Sequence, residues 1–194
     1  MNDLIRKELI IFTSQSLKQY GFRAVRMDTI AHNMKISKRT LYEIYGTKDN
    51  LISNCFISYS DRTKNMFEIT KYNASDPLKY LFDISKQYIN NLYKAECVFW
   101  LDITKYYPHI YHSIQKIWTD ELERSLLNCK KKLLIGPDID IKSFLHSFVC
   151  LLYSARISNL PIEMSYKSAF YMMRGILTIP GVMKMDLFYD NKFC

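Results

Sequence analysis

Apolar residues recur along this chain at helical spacing almost from end to end. Ile5, Leu9, Phe12 and Ser16 fall on one stripe at i, i+4, i+7 and i+11, predicting a helix over about Asp3 to Gln19. Tyr20-Gly21 ends it, because glycine accepts the left-handed geometry of a helix C-terminus. Met27, Ile30, Ala31 and Met34 then mark a helix of about two turns, too short to persist without neighbours to pack on. Three residues later Ser37 is a good N-cap, Leu41, Ile44 and Tyr45 share a face, and Gly46 supplies a stop. Two short helices separated by so tight a turn make a helix-turn-helix. Thr47 caps a fourth helix, with Asp49 in its first turn, that stays apolar-periodic through Leu51, Cys55, Tyr59 and Phe67.

Further along, Asp76-Pro77 pairs an N-cap with proline at the first helical position, predicting a helix to about Lys94. Another spans about Glu96 to Tyr106, and Pro108 opens one that reaches Lys130-Lys131-Lys132, where the lysines complement the helix dipole. Gly136-Pro137 reads as a linker. Two long helices follow, about Ile139 to Ser158 and Ile162 to Thr178, separated by Asn159-Leu160-Pro161. The pattern predicts an all-α protein of about nine helices, without repeats, low-complexity tracts or strand signals.

Composition agrees: 48% of the 194 residues are hydrophobic, and only five glycines and five prolines interrupt them. No apolar run reaches the roughly 18 to 20 residues of a membrane span, and the start MNDLIRKELIIF carries acids and lacks a small-residue cleavage site. A cytoplasmic protein is expected. The five cysteines, Cys55, Cys97, Cys129, Cys150 and Cys194, are odd in number and widely spaced, which fits reduced thiols better than disulfides. Charge changes the picture more. Residues 1–50 hold nine Lys/Arg against five Asp/Glu, so the first quarter of the chain carries half of the net +8. A polyanion-binding head on a less charged body has that asymmetry, and so does a merely solvated basic face.

Projected as a helix, residues 38–46 put Leu41, Ile44 and Tyr45 on the buried side and Arg39 and Glu43 almost opposite. The outward groups have the chemistry of a major-groove reader: a guanidinium for guanine, a carboxylate for cytosine N4, and Thr40 for a phosphate or a thymine methyl. Ser37, Lys38 and Tyr42 suit phosphates, and Lys48 stands at a helix N-terminus that already favours one. The plainer reading is that Arg39 and Glu43 neutralise each other on a solvent face, for about 0.2 to 0.5 kcal/mol.

The segment Arg6 to Leu51 resembles the N-terminal domain of TetR-family transcriptional regulators. GFRAVRMDTIA is similar to the family's G-[YF]-x-x-T-[ST]-x-x-x-I-A, and ISKRTLYEIYGTKDNL to its V-S-x-x-T-L-Y-x-[YH]-F-x-[ST]-K-[ED]-x-L, through Gly21, Phe22, Ile30, Ala31, Ser37, Thr40, Leu41, Tyr42, Lys48 and Leu51. The rest of the chain matches only in the number and length of its helices. The resemblance implies a helix-turn-helix DNA-binding domain over residues 1–47 and a helical effector-binding and dimerisation domain over 48–194. It implies a homodimer, joined by its last two long helices, on double-stranded DNA bearing an inverted-repeat operator, often released by a small-molecule effector. Four departures from the pattern bear on function. Val25 and Arg26 replace hydroxyl residues, leaving Arg26 as a substitute phosphate contact. Lys35 stands where glycine is common, and Arg39 replaces a small residue in the recognition helix.

In the body, Tyr59, Phe67, Trp100, Tyr107 and Trp118 are candidates for an effector pocket, although aromatic stripes at helical spacing more often form core. Phe148, Leu151, Leu152, Ala155, Phe170 and Met173 are candidates for the dimer interface, with small residues such as Ser147, Ser154, Ser168 and Gly175 allowing close approach. His109 with His112, and His146 with Cys150, each offer two ligands where zinc needs three or four, so no metal site is expected. Nor is any cofactor, or any catalytic residue, since no nucleophile has a spaced base and no glycine loop cradles phosphate. The competing reading is a helical adaptor or architectural protein whose basic head binds DNA without sequence preference.

Overall fold

The computed structural model describes residues 2–189, which form ten α-helices and no strand. They are α1 (Asn2–Ala24), α2 (Met27–Asn33), α3 (Lys38–Tyr45), α4 (Lys48–Asn73), α5 (Pro77–Tyr93), α6 (Cys97–Tyr106), α7 (Pro108–Lys131), α8 (Ile141–Ile157), α9 (Ile162–Ile176) and α10 (Ile179–Tyr189). The chain divides into two compact units. One is the chain through Lys64 together with Ala95–Ile114; the other is Asn65–Lys94 with Gln115 onward.

In the first unit α1 packs along α6 and touches α2, and α2 packs on α3. The unit therefore takes in more than residues 1–47. The buried stripe of α1 is Leu9, Thr13 and Leu17, while Ile5, Phe12 and Ser16 are only half-buried. The two stripes share Leu9 and each holds one hydroxyl residue, so hydrophobicity alone does not separate them. At Gly21 the helix breaks with φ 78° and ψ 173°, the stop that the sequence predicts, and one further turn to Ala24 follows. Phe22 then packs its ring between Phe99 and Tyr107, with centroids 5.2 and 5.0 Å away.

Helix starts follow the expected caps. The Ser37 hydroxyl accepts from the Thr40 amide (3.0 Å), Thr47 from Asn50 (3.1 Å), and Asp76 from Leu78 (2.8 Å) ahead of Pro77. At α2 the hydroxyl cap is missing: Arg26 occupies the N-cap and makes no side-chain capping bond. Three helix ends share one device. After α2, α7 and α8 the amides of Ile36, Leu134 and Leu160 reach back to the carbonyls of Ala31, Cys129 and Ala155. A single left-handed residue sits at each turn: Lys35 (φ 53°), Leu133 (φ 57°) and Asn159 (φ 54°). The lysine run closes α7, as its dipole favours.

The second unit is centred on α5, which packs against α8, α9 and α10. Its core includes Leu78, Leu81, Ile84, Tyr88, Leu92, Trp118, Leu122, Phe148 and Leu152. The helix that the sequence pattern does not foresee is α10. The predicted helix stops at about Thr178, yet Thr178 caps a new one by accepting from the Gly181 amide (3.3 Å) and donating to the Leu133 carbonyl (2.8 Å). Proline is tolerated in a first turn, and Gly181 lies so close to Leu134 that an added Cβ would stand 2.3 Å from its carbonyl oxygen. Beside this contact, Gly136 and Thr178 donate to Ile176 and Leu134 in a short antiparallel bridge. Cys55 and Cys129 are buried thiols, Cys97 is half-buried and Cys150 exposed; Cys194 lies outside the described residues. None of the described helices is long and apolar enough to cross a membrane.

Candidate nucleic-acid interface

The two apolar anchors Leu41 and Tyr45 fix which face of α3 turns outward. Leu41 is wholly buried, and the Tyr45 hydroxyl donates to the Arg6 carbonyl of α1 (3.1 Å). With one side of the helix tied down, Lys38, Arg39, Tyr42 and Glu43 are left exposed, as the helical projection predicts. Tyr42 keeps 45% of its surface. Ser37 and Thr40 are joined to one another, hydroxyl to hydroxyl at 2.8 Å, so both serve the start of the helix.

The basic groups of this face are partly neutralised from within. Arg39 Nε donates to Glu43 Oε1 at 2.7 Å, and Lys38 Nζ pairs with Asp28 of α2, also at 2.7 Å. Both pairs are solvent-exposed, where such contacts contribute about 0 to 1 kcal/mol and are easily exchanged. Arg26, exposed at the N-terminus of α2, has no ionic partner among the described residues. Neither has Lys35, which occupies the left-handed turn between α2 and α3. A non-glycine residue there costs about 1 kcal/mol. Lys35→Gly should therefore raise stability by about 1 kcal/mol in urea unfolding; a decrease would show that the lysine makes contacts that outweigh its backbone strain.

Lys48 is placed differently from the others. Its ammonium, half-buried at the start of α4, donates to the Phe22 carbonyl, and burial lowers its pKa from the ordinary lysine value despite Asp49 and Asp102 nearby. Two further contacts brace the same corner. The Tyr107 hydroxyl donates to Asp49 Oδ1 (2.7 Å), and Asp102 Oδ2 accepts from the Arg23 amide (3.1 Å). Burial together with the Asp49 carboxylate pushes the Tyr107 phenol well above the usual tyrosine range, so it stays a donor.

The five aromatics expected to line an effector pocket are divided between the two units. Tyr59, Trp100 and Tyr107 belong to the first unit, where Tyr107 is committed to Phe22 and Asp49 and Trp100 packs edge-on to Phe99. Phe67 and Trp118 belong to the second and meet edge to face at 5.0 Å in its core. Among the interface candidates, Phe148, Leu152, Phe170 and Met173 are buried within the single chain, with little surface left for a partner. Leu151 is exposed and Ala155 half-exposed. The open face of α8 and α9 has Ser147, Leu151 and Ser154 on one helix and Met164, Tyr171 and Gly175 on the other. A Cβ on Gly175 would meet nothing within 4 Å.

Sequence reasoning missed a polar stripe on α7: Glu121, Arg124, Ser125, Asn128 and Lys131, at i, i+3, i+4, i+7 and i+10. These residues line a cleft in the second unit. The spacing was visible, but a polar stripe ordinarily marks a solvent face, and here Glu121 and Ser125 are buried.

No protein-family model matches the sequence, and no curated protein matches it either. Solved structures do. A TetR transcription regulator from Haloarcula marismortui ATCC 43049 superposes with a TM-score of 0.74 at 16% identity, covering 92% of this chain and 100% of the other. The TetR family protein CprB from S. coelicolor A3(2) gives 0.73 at 16%, covering 94% and 92%. A gamma-butyrolactone receptor described as ArpA-like gives 0.71, again at 16% and with 94% and 92% covered. At such identities the likeness is one of fold, and it extends over both units rather than over the helix-turn-helix alone. The chain has the all-α fold of the TetR-family transcriptional regulators.

Proposed function

We propose that this protein is a DNA-binding transcriptional regulator, a repressor, that binds an inverted-repeat operator as a homodimer and is released by a small-molecule effector. The observation that carries this reading is α3: an eight-residue helix held on one side by Leu41 and Tyr45, with Arg39, Tyr42 and Glu43 exposed on the other. A helix entering the major groove needs that division of labour. Lys38, Tyr42, Arg26 and Lys35 supply phosphate contacts around it, while Ser37 and Thr40 fix its start. Lys48 acts by holding the Phe22 carbonyl, and so the corner beneath the helix-turn-helix, rather than by reaching a phosphate. Solved structures of regulators with this fold support the reading.

Selection of binding sites from random DNA tests it. An inverted repeat with half-sites about one helical turn apart is expected, retained at salt and competitor levels that strip nonspecific complexes. Enrichment of no sequence would favour the adaptor with a nonspecific basic head, a reading to which the internal pairing of Arg39 and Lys38 lends some support.

The dimer face is assigned to the exposed side of α8 and α9, with Leu151 and Tyr171 as its large apolar members and serines and Gly175 giving close approach. Charging that face by Leu151→Glu should leave a folded monomer in sedimentation and cost most of the operator affinity, because each half-site would then be bound alone. A dimer unchanged by the substitution would move the interface elsewhere.

A further inference from the structure

The second unit contains an open cleft of about 520 Å3 between the C-terminal part of α4, the start of α5 and the C-terminal half of α7. That volume suits a small molecule. Tyr80, Glu121 and Ser125 are its most buried lining residues, each less than 10% exposed, and Lys71, Arg124, Asn128 and Lys131 stand around them.

Its two carboxylates are already engaged. Glu121 accepts from the Tyr80 hydroxyl through Oε1 (2.7 Å) and pairs with Arg124 through Oε2 (2.7 Å). Asp76 caps α5, accepting from the Leu78 and Lys79 amides, with Lys184 at 4.0 Å. Beyond Tyr80 and Arg124, three donors of the cleft are not engaged in this way. Lys71 and Lys131 have no ion pair among the described residues, and the Ser125 hydroxyl is buried without any hydrogen-bond partner. An orphaned buried hydroxyl costs about 1 to 3 kcal/mol, so its presence beside a cleft calls for an explanation.

From these observations we infer that the cleft binds a small polar molecule bearing a carboxylate or a phosphate. The anion pairs with Lys71 and Lys131, and a neighbouring oxygen or hydroxyl of the ligand meets Ser125 after a rotation of the serine side chain. Binding stands on the cleft alone. That the bound molecule is the effector rests on the regulatory reading above. The aromatics picked out from sequence take no part in this site.

The test uses the full chain at constant ionic strength, titrated calorimetrically with succinate, with inorganic phosphate, and with succinamide as the neutral counterpart of succinate. At least one anion is expected to bind and to raise Tm, while succinamide does neither. Binding of succinate alone identifies a carboxylate ligand, and of phosphate alone a phosphorylated one. The Lys71→Gln/Lys131→Gln variant, altered only at exposed positions, should bind the anion at least about tenfold more weakly, as expected for the loss of charge-assisted hydrogen bonds. A Lys105→Gln/Lys116→Gln control should match the parent. The inference is overturned by equal binding to the parent and the cleft variant, by equal binding of succinamide, or by no binding of either anion up to about 10 mM, an affinity near −2.7 kcal/mol. DNA binding measured on the same samples separates the two readings. Anion binding without operator binding would overturn the regulator and leave the cleft standing, and operator binding without anion binding would do the reverse.

Discussion

Gly21→Ala should destabilise the protein by about 3 kcal/mol, and urea unfolding of the two proteins side by side will measure it. Two costs add. At φ 78° and ψ 173° the backbone lies in a region that essentially only glycine occupies, a strain of about 1 to 3 kcal/mol for any other residue. The new methyl would also stand 2.6 Å from Asp102 Oδ2 and 2.9 Å from Val98 Cγ2, an overpacking of about 1 to 3 kcal/mol. Asp102 does not move without cost. The same Asp102 oxygen accepts from the Arg23 amide, so swinging the carboxylate aside breaks that hydrogen bond. If the loss were below about 1 kcal/mol, the break in α1 would not be held in this conformation. The consequence for function follows from what comes next in the chain: Phe22, whose carbonyl holds Lys48 and whose ring packs on Phe99 and Tyr107. A chain that cannot turn at residue 21 cannot set α2 and α3 on that corner.

Much of this was legible in the sequence because helix ends are local events. Ser37, Thr47 and Asp76 are capping residues whose partners lie two or three positions away, and all three caps form. Gly21 and Gly46 mark turns of positive φ for the same local reason. What periodicity could not supply was the identity of the neighbours across the fold. Trp118 and Phe67 have the spacing of pocket residues and are core, while Phe148 and Leu152 have the hydrophobicity of an interface and are core too. The α10 helix was hidden behind Pro180-Gly181, because the contact that makes glycine useful there is with Leu134, 47 residues earlier. The cleft is the clearest such case. Its α7 stripe is regular, but only α4 and α5 folding over it turn a polar face into a site.

The largest effect expected on recognition, as distinct from stability, comes from Arg39 and Glu43. In the free protein they form a 2.7 Å pair with most of the Arg39 side chain in solvent, an interaction of about 0.2 to 0.5 kcal/mol. A bidentate contact from the guanidinium to guanine discriminates by about 1 to 3 kcal/mol. The base contact outweighs the internal pair, so Arg39 should leave Glu43 on the operator, and Glu43 is then free to accept from a cytosine amine or must tolerate nearby phosphates. Arg39→Ala should relax preference at one position of each half-site, by roughly 5- to 150-fold, with the other positions of the selected consensus unchanged. Glu43→Gln should act in the opposite sense on affinity: with one negative charge fewer against the duplex and Arg39 unpaired, binding to all sequences should tighten and depend more steeply on salt. Tyr42→Phe serves as the contrast, weakening every sequence alike through loss of a phosphate contact. A selected consensus identical for the parent and Arg39→Ala would assign Arg39 to the solvent face with Glu43, and base reading on α3 would then have to come from elsewhere on the helix.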